Sequence, residues 1–357
     1  MRSVHNNLEN ATTTPVLKQR QPEKVHLSNS SLSNMSSYLS NVAVVGAAGH
    51  AGGTVVSNLL ASGKHKITAL TRPDSTNKMP EGVVVKSVDY SNHSSLVSAL
   101  QGQHVLIISL AVTAPRDTST KLIDAAADAG IEYIMPNEWG TLAEVTANES
   151  LRRDLGMMLE SILQIRTYIE QKGITWMSLC CGFWYEFSLA GTEARYGFDF
   201  EKKSVTFYDD GMTKINTSTF PQVGRAVAGL LSLPLDSKDG PCVNNWKNRP
   251  VVCSSFFVSQ RDMFQSVLRV TGDQESDWKI SYEGAEERFR RGGQLMSQGQ
   301  MIGFGILLYA RIFYKDDSGN FNDKLDNAVL GLLKEDLDEA TKVAVQMAGA
   351  GDHNMIG

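Results

Sequence analysis

The chain has 357 residues, of which 42% are hydrophobic and 20% are charged, as expected for a globular protein with a substantial core. A formal net charge of −5 excludes a global basic field that would attract nucleic acid or an anionic membrane. The most apolar segment, residues 301–313, contains Arg311 and is shorter than the roughly 18 apolar residues that a membrane span needs.

The four cysteines form no CxxC pair, and Cys180 and Cys181 are adjacent within an apolar run. This usage predicts buried, reduced thiols, which are typical of a cytoplasmic protein.

Residues 1–40 are rich in Ser, Asn and Thr and show no hydrophobic period. They lack the apolar stretch of a secretory signal, and Glu9 and Glu23 argue against a transit peptide. We predict that this segment is a disordered extension.

From residue 41 onward, short apolar runs alternate with stretches of helical spacing. The predicted strands cover residues 42–45, 66–71, 83–88, 104–109, 132–135 and 174–181. The predicted helices cover residues 54–62, 93–101, 118–129 and 151–171. Such alternation implies right-handed crossovers and an α/β fold with a Rossmann-type, doubly wound parallel sheet over residues 41–182.

After residue 182 the alternation becomes irregular. The pattern predicts a strand at 205–209, a helix at 221–233, a strand at 251–255, a helix at 260–271, and one or two helices within 325–347. We interpret residues 183–345 as a smaller α+β substrate cap with segments that return to the Rossmann domain. Residues 346–357 are predicted to be a flexible tail.

A glycine-rich turn, residues 46–53, follows the first strand and precedes the first helix. In this GxxGxxG pattern, Gly46 permits a tight turn, Gly49 lets the backbone approach a pyrophosphate, and Gly52 allows close packing of helix and strand. The helix N-terminus supplies N–H groups and positive potential. The predicted cofactor contacts of the turn also include Ala48, His50 and Ala51.

The residue at the end of the second strand selects between dinucleotides. An NAD site carries Asp or Glu there, whereas this chain carries Arg72, whose guanidinium can hold a 2′-phosphate by two hydrogen bonds. Lys78 is a second candidate positive charge. The sequence therefore predicts NADP(H) as the cofactor.

Four stretches carry a family resemblance: the glycine turn, the arginine after strand two, residues 134–140 (IMPNEWG), and residues 165–175 with their Ile-Arg pair and Gly-Ile-Thr triplet. Together they resemble the NmrA-like and isoflavone reductase-like group of atypical short-chain dehydrogenases. The resemblance covers about residues 41–345, and residues 258–263 and 321–338 are most similar to fungal members.

The resemblance implies a cleft between the Rossmann domain and the cap, and an NADPH-dependent reduction of an aromatic or phenylpropanoid-like small molecule. It assigns the pyrophosphate to the three glycines of the turn and the 2′-phosphate to Arg72. The residues that it places near the nicotinamide are Ser109, Asn137 and Phe183.

Two positions depart from the family pattern. The reductases carry a catalytic lysine three residues before the Ile-Arg pair, and this chain has Ile162 there. Isoleucine can neither donate a proton nor stabilise an alkoxide. Asn137 stands where those enzymes commonly have serine.

Substitute acid–base groups are scarce in the sequence. Tyr185 as an acid and Glu186 as a base follow the sixth strand, although a pocket-lining role is an alternative for both. Tyr168 and Lys172 spell YxxxK, but Lys172 abuts the sixth strand, so we interpret this match as accidental. The sequence has no cluster of His, Cys and carboxylate residues that would predict a metal site, and it has no Gly-x-Ser-x-Gly motif that would predict a hydrolase.

Three functions remain open. The first is an NADPH-dependent oxidoreductase that reduces a small aromatic or polyketide-like metabolite in secondary metabolism. The second is a non-redox isomerase or dehydratase on the same scaffold. The third is an NmrA-like NADP(H) sensor that binds a regulatory protein partner without catalysis. A homodimer is also left open, and neither direct nucleic-acid binding nor a membrane is expected.

Overall fold

The computed structural model describes residues 38–111, 113–140 and 149–351. The predicted N-terminal extension lies outside the described residues as far as residue 37, and the predicted tail lies outside them from residue 352. The domain division at residue 182 stays a prediction.

Strands and helices are numbered along the chain. The strands are β1 (Asn41–Val45), β2 (Lys66–Thr71), β3 (Val83–Ser87), β4 (Val105–Ile108), β5 (Tyr133–Met135), β6 (Thr175–Cys180), β7 (Phe183–Trp184), β8 (Phe198–Asp199), β9 (Ser204–Tyr208), β10 (Lys214–Ser218), β11 (Arg249–Val252), β12 (Phe256–Ser259) and β13 (Lys279–Glu283). The helices are α1 (His50–Ala61), α2 (His93–Leu100), α3 (Thr118–Asp128), α4 (Glu149–Asp154), α5 (Gly156–Gln171), α6 (Tyr185–Leu189), α7 (Phe220–Leu231), α8 (Gln260–Thr271), α9 (Ala285–Ser297), α10 (Ile302–Ile312) and α11 (Leu337–Ala350).

A seven-stranded parallel sheet in the order β3-β2-β1-β4-β5-β6-β11 combines six strands from residues 41–180 with β11 from later in the chain. Helices α1 and α7 cover one face, and α2, α3 and α5 cover the other. Because both faces are covered, β4 is apolar and buried at each position. The predicted doubly wound fold is confirmed, and the strand order reverses between β1 and β4, where such sheets bind ligands.

The smaller part of the fold contains two three-stranded sheets, ordered β12-β10-β7 and β13-β9-β8. Its core is rich in buried aromatic side chains, which include Tyr196, Phe207, Phe264 and Phe313. This α+β region begins where β6 ends, so it lies beside the carboxyl edge of the main sheet.

Several predicted elements differ from those observed. The helix predicted at 151–171 is two helices, interrupted at Leu155, whose φ of −110° and ψ of 17° depart from helical values. Helix α1 begins at His50 rather than at residue 54, since the small residues of the turn hide its helical period. The strand predicted at 251–255 is β11, which joins the main sheet beside β6.

The terminal helices predicted within 325–347 were partly wrong. Only α11 is a long helix there, and residues 325–336 form an irregular connection. Its polar side chains bond to other elements: Asp326 Oδ2 accepts from the backbone N–H of Val252 at 2.8 Å, and Asn327 Oδ1 accepts from that of Ser254 at 3.1 Å. These tertiary bonds replace the helical ones.

All four cysteines are buried free thiols, as predicted. Among the described helices, none is both long enough and apolar enough to cross a membrane.

Candidate cofactor and active site

At two of the three glycines of the turn, the surrounding backbone leaves no room for a side chain. Gly46 has a φ of +77°, and a Cβ there would lie 1.8 Å from the carbonyl oxygen of Ser109 at the end of β4. A Cβ at Gly52 would lie 2.1 Å from the carbonyl oxygen of Gly46. Both positions therefore require glycine for the packing of α1 against the sheet edge.

Gly49 is different, because the fold itself does not exclude a side chain there. It is the N-cap of α1 with φ of −74°, and an added Cβ would meet only the Gly46 carbonyl oxygen, at 3.4 Å. The first turn of a helix presents N–H groups that lack intrahelical acceptors, and glycine has no side chain to bind them. This geometry fits a close anionic ligand such as a pyrophosphate.

Arg72 directly follows β2, and its side chain is 72% exposed. Its Nε lies 3.6 Å from Asp74 Oδ1. Tyr90 lies close enough for the positive charge of Arg72 to lower its pKa, although burial has the larger effect and raises that pKa overall. Lys78 is exposed farther along the same connection. Arg72 is thus accessible to a phosphate at the end of β2.

The loops after β4 and β5 are joined through Asn137. Its Oδ1 accepts from the backbone N–H of Leu110 at 3.0 Å, and its Nδ2 donates to the Leu110 carbonyl oxygen at 3.4 Å. Ser109, the preceding residue, donates its N–H to the Val45 carbonyl oxygen at 3.0 Å. Ser109 and Asn137 therefore lie on adjoining loops at the carboxyl edge of the sheet, and their place near a nicotinamide stays a prediction.

A buried ion pair, which the sequence did not reveal, fixes the loop after β5. Glu138 Oε2 accepts from Arg166 Nε at 2.9 Å, and Arg166 Nη2 contacts both Glu138 and Ser178 Oγ. Both charged side chains are only 4% exposed, and the guanidinium lies over the Trp176 ring. The pair holds Glu138, the residue that follows Asn137, against α5.

Phe183 begins the cap immediately after β6. Gly182, at φ of +65°, makes the connection, since a Cβ there would lie 2.3 Å from the Asn216 carbonyl oxygen. The half-buried Phe183 ring stacks on Tyr309 with centroids 4.0 Å apart and an interplanar angle of 12°. The ring is held by aromatic packing next to the sheet edge.

The two candidate acid–base residues are placed differently from each other. Tyr185 is fully buried, and its hydroxyl shares a 2.7 Å hydrogen bond with Thr341 Oγ1 of α11. Burial raises the pKa of Tyr185 far above its usual value. A phenol that is enclosed, hydrogen-bonded and reluctant to ionise has the properties of a core residue.

Glu186 is also buried, at 2% exposure, and its Oε2 accepts from the backbone N–H of Phe220 at 3.2 Å. Burial raises the pKa of this carboxyl to about 7, and the nearby Glu335 adds to the effect. A carboxyl with such a pKa holds or releases a proton near neutral pH.

An aromatic cluster connects the glycine turn to the cap. The His50 ring stacks on Phe220 with centroids 5.4 Å apart and planes 22° apart. Phe220 lies 5.2 Å from the Trp184 ring and 6.4 Å from that of Phe187. Packed aromatic rings therefore border the turn on its cap side.

The position that the resemblance aligns with the lysine of the reductases is apolar in this chain. Ile162 is half-buried on the inner face of α5, one turn before Arg166. The nearby YxxxK match is structural: Tyr168 Oη donates to Asp124 Oδ1 at 2.6 Å, and Lys172 Nζ lies 2.6 Å from the same oxygen. These contacts brace α5 against α3.

Three cavities of about 560, 740 and 400 Å³ lie elsewhere in the fold, and none of the three is lined by a residue of the glycine turn. Within the described ranges, no group of three or more His, Cys, Asp or Glu side chains is arranged to hold a metal ion.

Comparison with known proteins identifies relatives of this chain. Residues 39–202 match the model of the NmrA-like family. The oxidoreductase aprR of Aspergillus flavus is 28% identical over 304 residues, which span 84% of this chain and 96% of the relative. The oxidoreductase poxI of Penicillium oxalicum is 25% identical over 308 residues, which span 83% and 91%.

Solved structures share the fold at low sequence identity. A structure named AtPrR2, with NADP+ and (+)pinoresinol, superimposes with a TM-score of 0.66 at 19% identity, over 85% of this chain and 98% of that one. Isoflavone reductase superimposes with a TM-score of 0.65 at 20% identity, over 84% and 98%. Leucoanthocyanidin reductase from Vitis vinifera, in a binary complex with NADPH, gives 0.65 at 14% identity, over 85% and 99%. The resemblance predicted from the motifs is confirmed.

Proposed function

We propose that this chain is a member of the NmrA-like family with an isoflavone reductase-like fold, and that it is an NADPH-dependent reductase of a small aromatic or polyketide-like metabolite. The observation that carries the proposal is the glycine turn at the sheet edge together with Arg72 after β2. The two fungal relatives that are named oxidoreductases and the solved reductases with bound NADP+ or NADPH support it.

In the proposed complex, the N-terminus of α1 binds the pyrophosphate and Arg72 binds the 2′-phosphate. Lys78 adds charge at the same end. Ser109 and Asn137 contribute the floor of the nicotinamide site, and Phe183 contributes one wall. The nicotinamide supplies a hydride when it is bound.

Proton supply separates this chain from the lysine-bearing reductases. Ile162 leaves the usual donor position apolar. Of the two candidates that follow β6, Glu186 has a pKa of about 7 and can hold a proton under working conditions, whereas the pKa of Tyr185 is raised far out of that range. We assign the proton reservoir to the buried Glu186 carboxyl, with water as the carrier of the proton to the substrate.

The substrate class follows from the surfaces at the cap. Trp184, Phe187 and Phe220 form an aromatic cluster next to the turn, and a flat unsaturated substrate that binds beside this cluster would gain aromatic contacts. The cytoplasm supplies NADPH and keeps the four cysteines as thiols, so we place the protein there.

A second function, an NADP(H) sensor without catalysis, is favoured by one observation, the isoleucine at position 162. It would retain dinucleotide binding and bind a regulatory protein partner. A non-redox isomerase or dehydratase would retain substrate conversion but transfer no hydride.

The discriminating experiment uses NADPH that carries deuterium at the transferable position of the nicotinamide. The protein is incubated with a panel of quinones, enones and aryl ketones, and the products are analysed by mass spectrometry. We expect deuterium in a reduced product, and we expect Gly52→Ala, which blocks packing of the turn, to abolish the transfer. Tight NADPH binding with no transfer to any compound would favour the sensor, and conversion without deuterium would favour the isomerase or dehydratase.

A further inference from the structure

A turn in the connection after β2 brings the carboxylate of Asp74 close to Arg72, the arginine of the proposed cofactor site. The Ser75 N–H donates to the Arg72 carbonyl oxygen at 3.1 Å, which closes a turn with Pro73 and Asp74 in its two central positions. Proline fixes its own φ and favours such a turn. As a result, Asp74 Oδ1 lies 3.6 Å from Arg72 Nε.

This pair is exposed and therefore easily exchanged. The Arg72 and Asp74 side chains are 72% and 79% exposed, so water screens their attraction and a ligand can reach either one. The other charged groups nearby are arranged differently. Lys78 is exposed, and Asp89 accepts hydrogen bonds from the backbone N–H and the hydroxyl of Ser91, which hold its carboxylate locally.

We propose that Asp74 is a built-in counter-ion of Arg72 that sets how strongly the site prefers a 2′-phosphorylated dinucleotide over one with a free 2′-hydroxyl. A 2′-phosphate carries close to two negative charges, so it must displace Asp74 from Arg72 and then tolerate its carboxylate nearby. A free 2′-hydroxyl has no such conflict, because it donates a hydrogen bond to the carboxylate while Arg72 stays paired.

The same two residues therefore favour different ligands. Arg72 stabilises NADP(H), and Asp74 both weakens that preference and offers a partner to NAD(H). This inference rests on the proposed dinucleotide site, but it concerns the selectivity of the site rather than its existence.

The test is calorimetric titration of the full-length protein with NADP+ and with NAD+. In Asp74→Asn, which keeps the size of the side chain and removes its charge, we expect NADP+ to bind about three- to tenfold more tightly at low salt. NAD+ binding should stay the same or weaken, so the ratio of the two dissociation constants rises. The gain should shrink as salt is added, because the exposed charges are then screened.

Asp128→Asn is the matched control. Asp128 also belongs to an exposed ion pair, with His93 at 2.7 Å, but it ends α3 and is not part of the connection after β2. We expect this variant to bind both nucleotides like the wild type. Thermal melts of both variants check that folding is intact.

An unchanged NADP+ to NAD+ ratio in folded Asp74→Asn, with nucleotide binding retained, overturns the role of Asp74 and leaves the proposed function standing. An equal gain in Asp128→Asn also overturns it, since net charge alone would then explain the effect. Failure of the wild-type protein to bind either nucleotide overturns the proposed function itself.

Discussion

Alanine at Gly46 and alanine at Gly49 separate what the glycine turn does for the fold from what it does for a ligand. At Gly46, a φ of +77° strains any L-residue, and the new methyl group would lie 1.8 Å from the Ser109 carbonyl oxygen. At Gly49, φ is −74° and the nearest atom, the Gly46 carbonyl oxygen, would lie at 3.4 Å, which is ordinary contact.

The expected losses of folding free energy follow from these two environments. The left-handed conformation costs an alanine at Gly46 about 1 kcal/mol. Displacing main-chain atoms of the packed β4 edge adds about 1–3 kcal/mol. We therefore expect Gly46→Ala to lose about 2–4 kcal/mol, and Gly49→Ala to lose less than about 1 kcal/mol. For nucleotide binding we expect Gly49→Ala to weaken NADPH by at least about tenfold, because the methyl group occupies the space where a pyrophosphate approaches the helix N-terminus.

Urea unfolding measures the stability of each variant, and calorimetric titration measures NADPH binding. We expect the Gly49→Ala protein to be stable and to bind NADPH poorly, and the Gly46→Ala protein to be destabilised. Wild-type NADPH affinity in Gly49→Ala would refute the assignment of the turn to the pyrophosphate. Wild-type stability in Gly46→Ala would refute the steric argument.

Three further predictions concern buried groups. Arg166→Met leaves the Glu138 carboxylate buried without its ion-pair partner, so urea unfolding should show a free energy of unfolding lower by about 3–5 kcal/mol. A loss below about 1 kcal/mol would contradict the buried pair. Burial raises the pKa of Glu186 to about 7 in the folded protein, so its contribution to stability is full below the usual carboxyl pKa and is lost as pH rises through 7. Between pH 5 and pH 8, Glu186→Gln should therefore lose less folding free energy than the wild type. Equal losses in the two proteins would contradict the raised pKa. Tyr185→Phe removes only the hydrogen bond to Thr341, so we expect the free energy of unfolding to fall by about 1 kcal/mol and the rate of NADPH consumption to stay the same. A large loss of turnover in a folded variant would instead show that Tyr185 takes part in the reaction.

The sequence predicted the elements whose signals are local. Strand β2 was predicted with its observed bounds, and α8 likewise, because Ser259 caps its start with Asp262 and Gly272 ends it at a positive φ. The helical hairpin of α9 and α10 was missed. Its two helices cross where a Cβ at Gly303 would lie 2.4 Å from the Gly292 carbonyl oxygen, and glycines within helices weaken the helical pattern that sequence analysis reads.

The candidate site was predictable to the same extent. The glycine turn and Arg72 are contiguous signals whose chemistry follows from residue type. The Glu138–Arg166 pair joins residues 28 positions apart, and charged residues are ordinarily expected on the surface, so the pattern gave no indication of it. The placement of Tyr185 depends on a bond to Thr341, 156 positions away. Only the packed fold distinguishes it from Glu186.

The central claim, that this protein binds NADP(H) through the glycine turn and Arg72, is tested most directly by calorimetric titration of the wild-type protein and Arg72→Ala with NADPH and NADH. We expect the wild type to bind NADPH and the variant to bind it about 1–3 kcal/mol more weakly, with little change for NADH, because only the 2′-phosphate contact is lost. Equal binding of both nucleotides by both proteins would contradict the role of Arg72. No NADPH binding by the wild type would contradict the cofactor site as a whole.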